Sequence, residues 1–123
     1  LWTVDYMKIF GTGIDIVEVQ RIAKAIERWG DGFLNHVFTK EEIAYAKNQR
    51  YPYQHFAARF AAKEAVFKAI GNDPQITWKD IEITHDKDGK PVCLYPRKNL
   101  KRRVLISISH TRLYAAASAL ITS

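Results

Sequence analysis

Cysteine is nearly absent from this sequence, since Cys93 is the only one among 123 residues. A lone thiol excludes an internal disulfide and a cysteine-based zinc site, and a reducing, cytoplasmic setting is the simplest expectation. Long apolar runs are also missing, and without a stretch of about 18 apolar residues no segment is predicted to span a membrane. Residues 1–6 lack the basic-then-apolar pattern of a secretory signal. We expect them to be a leader or an artificial remnant before a single domain over residues 7–123.

Glycine-rich phosphate loops are absent as well, which excludes the P-loop and dinucleotide-binding folds. The length fits one domain, because domains most often contain about 100–150 residues. Acidic residues are in the minority, with 13 Asp and Glu against 19 Lys and Arg and a net charge of +6. Such an excess predicts an anionic partner through long-range attraction. Nucleic acid, a phosphorylated small molecule and an acidic protein all satisfy this expectation, and charge alone does not distinguish them.

Hydrophobic periodicity predicts an α+β fold, with helices grouped before an antiparallel sheet. The β-branched segment 8–17 is predicted to be a mostly buried strand, and its two glycines suggest that another backbone approaches closely. An apolar stripe at helical spacing predicts a helix over 18–29. Gly30 and Gly32 are expected to end that helix.

Two further helices and four further strands are predicted. Thr39 is a candidate N-cap, and Glu42 three residues later completes the pattern of a capping box. A long, alanine-rich helix is predicted over 53–70, with Gly71 as its terminating residue. The segments predicted as strands are 81–84, 91–95, 104–109 and 113–121.

Polar residues interrupt apolar patterns in three short segments, namely 13–17, 59–71 and 107–111. In the first of them, Asp15 lies between Ile14 and Ile16. Burial of a carboxylate is unfavourable unless it is paired or bound to a cation, which makes Asp15 a candidate site residue. A helix cap or hydrogen bonds from backbone donors would explain Asp15 equally well.

Charged residues of the long helix lie four positions apart, so that each pair shares one side of the helix: Arg59 with Lys63, and Glu64 with Lys68. Taken alone, these pairs are more simply explained as a solvated face. His110, at the end of an apolar strand, is by itself more often structural than catalytic. The other histidines have no comparable neighbours in the sequence and are interpreted as structural: His36, His55 and His85.

Taken together, these segments resemble the holo-[acyl-carrier-protein] synthase family. The segments that carry the resemblance are Gly13-Ile-Asp-Ile-Val-Glu18 with Arg21-Ile22, Phe38-Thr39-Lys-Glu-Glu42, residues 59–69, and Ser107-Ile-Ser-His110. They extend over nearly the whole chain from about Met7. The resemblance implies an antiparallel sheet packed against a long helix, and a homotrimer with active sites at the subunit interfaces.

The resemblance also implies an activity, which is transfer of 4′-phosphopantetheine from coenzyme A to a serine of apo acyl carrier protein, for fatty acid biosynthesis. Asp15 and Glu64 match the family's Mg²⁺ ligands, and Glu64 is also the candidate for taking the serine proton. Lys68 matches the side chain that stabilises developing negative charge. The positions that match the coenzyme A pocket are Arg59, Lys63, Lys68, Ser109, His110 and Thr111.

The first helix has a second implied role. Arg21 and Arg28 lie seven residues apart and so share a face. By resemblance they bind the acidic recognition helix of the carrier protein, and a solvated basic face is the alternative. The chain departs from the family after Gly71, where the family often has Thr-Gly and this sequence has Asn72-Asp73. That departure places an acidic residue near an anionic ligand.

A non-catalytic nucleic-acid-binding module is the main alternative function. The net charge and interspersed aromatic residues favour it, as does a basic cluster of Arg97, Lys98, Lys101, Arg102 and Arg103. Against it, no known nucleic-acid motif is present. A third candidate is a transferase that acts on carrier domains of peptide or polyketide synthases, but such enzymes are commonly about twice this length. The expected partners are therefore acyl carrier protein, coenzyme A and two further copies of the chain, without nucleic acid or membrane.

Overall fold

The structure is a computed structural model that describes residues 6–71, 73–95 and 102–123. These residues contain five strands, four α-helices and one 3₁₀ turn. Their order confirms the predicted α+β class. In chain order the elements are β1 (Ile9–Glu18), α1 (Val19–Trp29), α2 (Asp31–Val37), α3 (Lys40–Lys47), α4 (Pro52–Ile70), a 3₁₀ turn (Trp78–Asp80), β2 (Glu82–His85), β3 (Pro91–Leu94), β4 (Arg103–His110) and β5 (Tyr114–Thr122).

The strands form two antiparallel sheets. The larger has the order β1-β5-β4, and the smaller is the hairpin of β2 and β3. The central β5 places Ala117 opposite both Asp15 of β1 and Ile108 of β4. Residues two apart along a strand point to the same face, so Gly13 and Asp15 share one side of the sheet.

Helix α4 packs on that side of the sheet at unusually short range. The helix buries six small side chains there and elsewhere in the core: Ala57, Ala58, Ala61, Ala62, Ala65 and Ala69. A Cβ atom on Gly13 would lie 1.9 Å from the Ala65 carbonyl oxygen, and one on Gly11 would lie 2.0 Å from that of Ala69. The predicted close approach of another backbone is therefore confirmed, and it brings the side chains of β1 directly beside those of α4.

Two features differ from the sequence-based expectations. Gly30 ends α1 as predicted, with a left-handed φ of 54°, but a helix that was not predicted, α2, follows at once and contains Gly32. Burial of Leu34 and Val37 in the core stabilises this short helix. The prediction that β1 is mostly buried also fails, because only the side facing α4 is covered.

The opposite side of the larger sheet is open. Ile14 and Ile16 are 71% and 67% exposed. Cross-strand register places Ser118 and Ser107 beside Ile14, and Ala116 and Ser109 beside Ile16. We call this surface the outer sheet face, and define it by Thr12, Ile14, Ile16, Leu105, Ser107, Ser109, Ala116, Ser118 and Leu120.

Several expectations concern residues outside the described part of the chain. These are residues 1–5 of the expected leader, Asn72, and the cluster members Arg97, Lys98 and Lys101. Among the residues that are described, no helix combines the length and the apolar character needed to cross a membrane.

Candidate active site

Asp15 and Lys68 meet where β1 crosses α4. Lys68 Nζ lies 3.1 Å from Asp15 Oδ1 and also donates a hydrogen bond of 2.9 Å to the Ile14 carbonyl oxygen. The Asp15 side chain is 15% exposed, whereas that of Lys68 is 53% exposed. The carboxylate is therefore held in a fixed position near the surface, and the ammonium group remains accessible to a ligand.

Glu64 completes this cluster one helical turn before Lys68. Partial burial raises the pKa of the Glu64 carboxyl, and the charge of Asp15 raises it further. Lys68 and Arg21 act in the opposite direction. Two carboxylates that repel each other at a partly buried position favour a bound cation. Within the described residues, no group of three or more His, Cys, Asp or Glu side chains is arranged to hold a metal by itself.

Lys63 lies elsewhere, fully buried beneath α3 and the β2–β3 hairpin. Its Nζ donates to the Val37 carbonyl at 2.8 Å and to the Trp78 carbonyl at 3.0 Å, and pairs with Glu42 Oε1 at 2.6 Å. Glu42 Oε2 in turn accepts the Ile83 backbone N–H at 2.8 Å. Because every donor of Lys63 is used inside the protein, this placement argues against the expected contact between Lys63 and coenzyme A.

Glu42 also explains why α3 begins where the sequence predicted. Its Oε1 accepts the Thr39 backbone N–H at 2.8 Å, and its own backbone N–H donates to Thr39 Oγ1 at 3.3 Å. The predicted capping box is thus confirmed. Burial lowers the pKa of the Lys63 ammonium group, and the neighbouring Glu42 carboxylate partly offsets that effect.

Arg59 is buried one turn before Lys63, with only 3% of its surface exposed. Its guanidinium lies over the Tyr45 ring at 4.0 Å, and Nη2 lies 3.3 Å from His85 Nδ1. Its Nε has no hydrogen-bond partner. In the described part of the chain no carboxylate pairs with this cation.

Three histidines gather around Arg59. The rings of His55 and His110 are 5.2 Å apart between centroids, and Tyr45 lies 5.8 Å from His55 and 5.1 Å from His85. Nothing in the sequence indicated this cluster, and the interpretation of His55 and His85 as structural stays a prediction. They come from α4 and β2, and His110 from β4, so only the tertiary structure brings them together.

The remaining candidate residues lie around the open end of the larger sheet. Ser109 is exposed on the outer sheet face, opposite Ala116. Thr111 shapes the turn between β4 and β5, where its Oγ1 accepts the backbone N–H groups of Leu113 at 3.2 Å and Tyr114 at 3.1 Å.

Both arginines of α1 are exposed. The charge of Arg21 reaches Glu64, which links the helix surface to the carboxylate cluster. Arg28 lies 4.9 Å from the ring of Trp29, itself 62% exposed. A cationic and aromatic surface therefore extends from the cluster along α1.

Comparison with known proteins identifies the family of this chain. The family model described as 4′-phosphopantetheinyl transferase superfamily matches residues 11–119. The chain belongs to this superfamily. The holo-[acyl-carrier-protein] synthase of Koribacter versatilis is 44% identical over 122 residues, which cover 92% of this chain and 98% of that protein. The synthase of Thermodesulfovibrio yellowstonii is 46% identical over 114 residues, covering 93% and 99%.

A solved structure agrees with these sequence matches. A holo-(acyl-carrier-protein) synthase from Bacillus anthracis, in complex with CoA (3′,5′-ADP), superposes with a TM-score of 0.82 and 34% identity. The match covers 96% of this chain and 99% of that one. The resemblance that the motifs predicted is confirmed, and the chain is a transferase of this superfamily. The matched range includes Asp15, Glu64 and His110.

Proposed function

We propose that this transferase moves 4′-phosphopantetheine from coenzyme A to a serine of apo acyl carrier protein and releases 3′,5′-ADP, for fatty acid biosynthesis. The observation that carries the proposal is the meeting of Asp15, Glu64 and Lys68 at the β1–α4 crossing. Two carboxylates and an accessible ammonium group suit a diphosphate substrate with a divalent cation. The names of the relatives described above support the same reaction.

Asp15 and Glu64 are the residues that would hold Mg²⁺. The donor set fits this ion, because Mg²⁺ usually binds one or two carboxylates together with substrate phosphates and several waters. Burial, and after it repulsion from Asp15, raises the pKa of the Glu64 carboxyl, and such a cation would relieve the repulsion. When bound, the ion supplies charge neutralisation on the diphosphate.

Each of the chain's own residues then has a defined task. The serine oxygen of the carrier protein attacks the β-phosphorus of coenzyme A, and the bond to the leaving 3′,5′-ADP oxygen breaks. Lys68, half-exposed at 3.1 Å from Asp15, donates to the phosphate oxygens as negative charge develops. Glu64 is the candidate for accepting the serine proton, directly or through a bound water.

Arg59, Ser109, His110 and Thr111 are the proposed contacts to the coenzyme, and Lys63 is omitted because its donors are used internally. The exposed His110 and Ser109 close β4, next to the turn that Thr111 stabilises. A permanent cation at Arg59 lies behind them. Cationic and hydroxyl donors of this kind suit the phosphates of coenzyme A.

Arg21 and Arg28 form the proposed docking surface for the acidic carrier protein. Electrostatic complementarity chiefly accelerates encounter, so reversal of these charges should raise KM for the carrier protein and leave KM for coenzyme A unchanged. The variants Arg21→Glu and Arg28→Glu test this in steady-state kinetics. An equal rise in both KM values would argue against a docking role.

A homotrimer with active sites at its subunit interfaces is also part of the proposal. The outer sheet face supports it, because exposed Ile14 and Ile16 flank the small residues Ala116 and Ser118. An apolar surface with small central side chains permits close approach of another subunit. Ser109 lies on the same face, so that subunit would border the site. Location in the cytoplasm remains a prediction.

Mass spectrometry of apo acyl carrier protein tests the central proposal. The protein is incubated with the carrier protein, coenzyme A and Mg²⁺, with EDTA in a parallel reaction. We expect one added phosphopantetheine mass, absent with EDTA. No added mass with a folded enzyme and a competent carrier protein would overturn the proposed reaction, and an unchanged gain in EDTA would overturn the metal requirement.

A further inference from the structure

Arg59 is a buried cation without a counter-ion in the described residues. Its side chain is 3% exposed, it forms no ion pair, and its Nε lacks a hydrogen-bond partner. Burial of a charge is unfavourable unless the charge is paired. Burial lowers the pKa of the guanidinium, and Tyr45 together with the nearby Glu42 carboxylate, which pairs with Lys63 instead, offsets only part of this effect. The environment of Arg59 is therefore incomplete without an anion.

His85 is neutral in this arrangement for a geometric reason. Arg59 Nη2 and His85 Nδ1 are 3.3 Å apart, and a guanidinium can only donate hydrogen bonds. His85 Nδ1 must therefore accept, which requires that it carries no proton. Burial lowers the pKa of His85, the charge of Arg59 lowers it further, and Asp86 opposes both effects.

The pKa of His55 is lowered by burial and by neighbouring charges, as that of His85 is. His55 lies one turn before Arg59 on α4, against Tyr45 of α3 and His110 of β4. Burial lowers its pKa, followed in order by the charges of His110, Arg59 and His85. Within the described residues, Arg59, His110 and Tyr45 lie around the two imidazoles, the Asp86 carboxylate acts on His85, and the buried Glu42 carboxylate acts on Arg59. Burial first, and neighbouring positive charge second, thus favour the neutral form of both imidazoles.

We propose that His55 and His85 are additional phosphate-binding residues, which take up protons when a phosphate of the coenzyme enters beside Arg59. This inference rests on the proposed function. The phosphate supplies the missing counter-ion, and its negative charge stabilises the imidazolium forms. Protonation of His85 at Nδ1 ends its acceptance from Arg59 Nη2, so that this donor becomes available to the phosphate. Of the two half-buried imidazoles, His55 lies beside the ring of exposed His110 and His85 lies beside the buried guanidinium.

A metal site does not explain the cluster. His55, His85 and His110 are near neighbours, but among the residues described no three His, Cys, Asp or Glu side chains converge on one metal position. A purely packing role for the rings predicts no change in protonation when ligand binds. Proton uptake therefore distinguishes the proposal from the packing alternative.

The sign of the pH dependence follows from linkage. A ligand that raises the pKa of His55 and His85 binds with proton uptake, so its affinity rises as pH falls toward the lowered pKa values. The limit is about a tenfold change in Kd per pH unit for each proton taken up. Titration of the phosphate itself, with a pKa near 6, acts in the opposite direction. Comparison of variants with the same ligand cancels that contribution.

Isothermal titration calorimetry with 3′,5′-ADP provides the test, at pH 7.0 with Mg²⁺ present, in buffers that differ in ionisation enthalpy. The slope of binding enthalpy against buffer ionisation enthalpy counts the protons taken up. We expect net uptake by the wild type and a clear reduction in His55→Gln/His85→Gln. His36→Gln is the matched control, since His36 is exposed on α2 outside the cluster, and it should behave as the wild type does.

Equal proton uptake in the wild type and the double variant would overturn the inference, as would zero uptake in the wild type. If the double variant does not fold by circular dichroism, His55→Phe and His85→Gln are measured singly, because Phe retains the ring contacts of His55. Failure of the proposed function would be detected separately, because the carrier protein would then gain no mass in the mass spectrometry assay. Normal transfer without histidine-dependent proton uptake would reject this inference alone.

Discussion

Lys68 Nζ lies 3.1 Å from Asp15 Oδ1, although the two residues are 53 positions apart in the chain. The contact exists because Gly13, two residues before Asp15, lets β1 approach the α4 backbone at Ala65. Glu64 then lies on the same side of the helix, one turn from Lys68. Gly13 has no side chain that could take part in a reaction, yet it determines where Asp15 lies relative to Glu64.

Loss of either carboxylate should remove activity without unfolding the protein. We expect Asp15→Asn and Glu64→Gln each to lower kcat/KM by about a hundredfold or more, because both groups act on charge in the transition state. Transfer to apo carrier protein is the measurement. Asp88→Asn in the β2–β3 turn is the control, and near-normal rates in either site variant would contradict the assignment.

Gly13→Ala should destabilise the fold strongly. Its Cβ would lie 1.9 Å from the Ala65 carbonyl oxygen, and backbone on both sides must move. We expect a loss of about 3 kcal/mol or more in the free energy of unfolding in urea. Gly32→Ala is a matched control, because a Cβ there has no neighbour within 4 Å, and it should be neutral or stabilising by about 0.5 kcal/mol. Equal effects of the two substitutions would reject the close-approach argument.

Lys63→Met should also destabilise the protein, through a different mechanism. Removal of one partner leaves Glu42 as an uncompensated buried charge, for which about 3–5 kcal/mol is typical. Lys68→Met, at an exposed pair, should change stability by less than about 1 kcal/mol but lower activity. Urea denaturation and transfer assays separate the two lysines. A stable Lys63→Met variant with a raised KM for coenzyme A would instead restore the original expectation of a coenzyme contact.

The unliganded protein should lose stability as the medium becomes acidic. The pKa values of His55 and His85 are lowered in the folded state, so the unfolded state binds more protons below about pH 6.5. Stability therefore rises with pH through the interval from the lowered values to about 6.5 and is fully present above it. Melting temperatures measured from pH 5.5 to 8 should show this, and the slope should flatten in His55→Gln/His85→Gln. An unchanged slope in that variant would contradict the assignment.

The outer sheet face should hold the oligomer together. Ile14→Asp places a charge at a residue that is 71% exposed in the single chain and should convert a trimer into monomers in sedimentation velocity experiments. Trp29→Asp is the control, because Trp29 is 62% exposed at the end of α1, outside the sheet. A wild type that sediments as a monomer would reject the proposed trimer.

Much of the fold follows from local sequence patterns. Apolar periodicity, the Thr39–Glu42 capping box and Gly71 at the end of α4 all act over a few residues, and each is where the sequence predicted. The segments around Asp15, Thr39, Glu64 and His110, taken together, were also sufficient to identify the family. The α2 helix was missed because Leu34 and Val37 stabilise it through tertiary contacts, although Gly30 precedes it and Gly32 lies within it.

The roles of individual polar residues depended on the tertiary structure. The sequence by itself determined the class of fold, the superfamily and the residue types available for chemistry, since these depend on short-range patterns. Lys63 and Lys68 belong to the same helical motif, yet α3 buries one and β1 leaves the other accessible. Only the packing of α3, β2 and β4 against α4 brings His85 beside Arg59 and His110 beside His55. Burial and the distances between side chains determine the charge state of a polar residue and its accessibility to ligands, and the local spacing of residues in the sequence reveals neither.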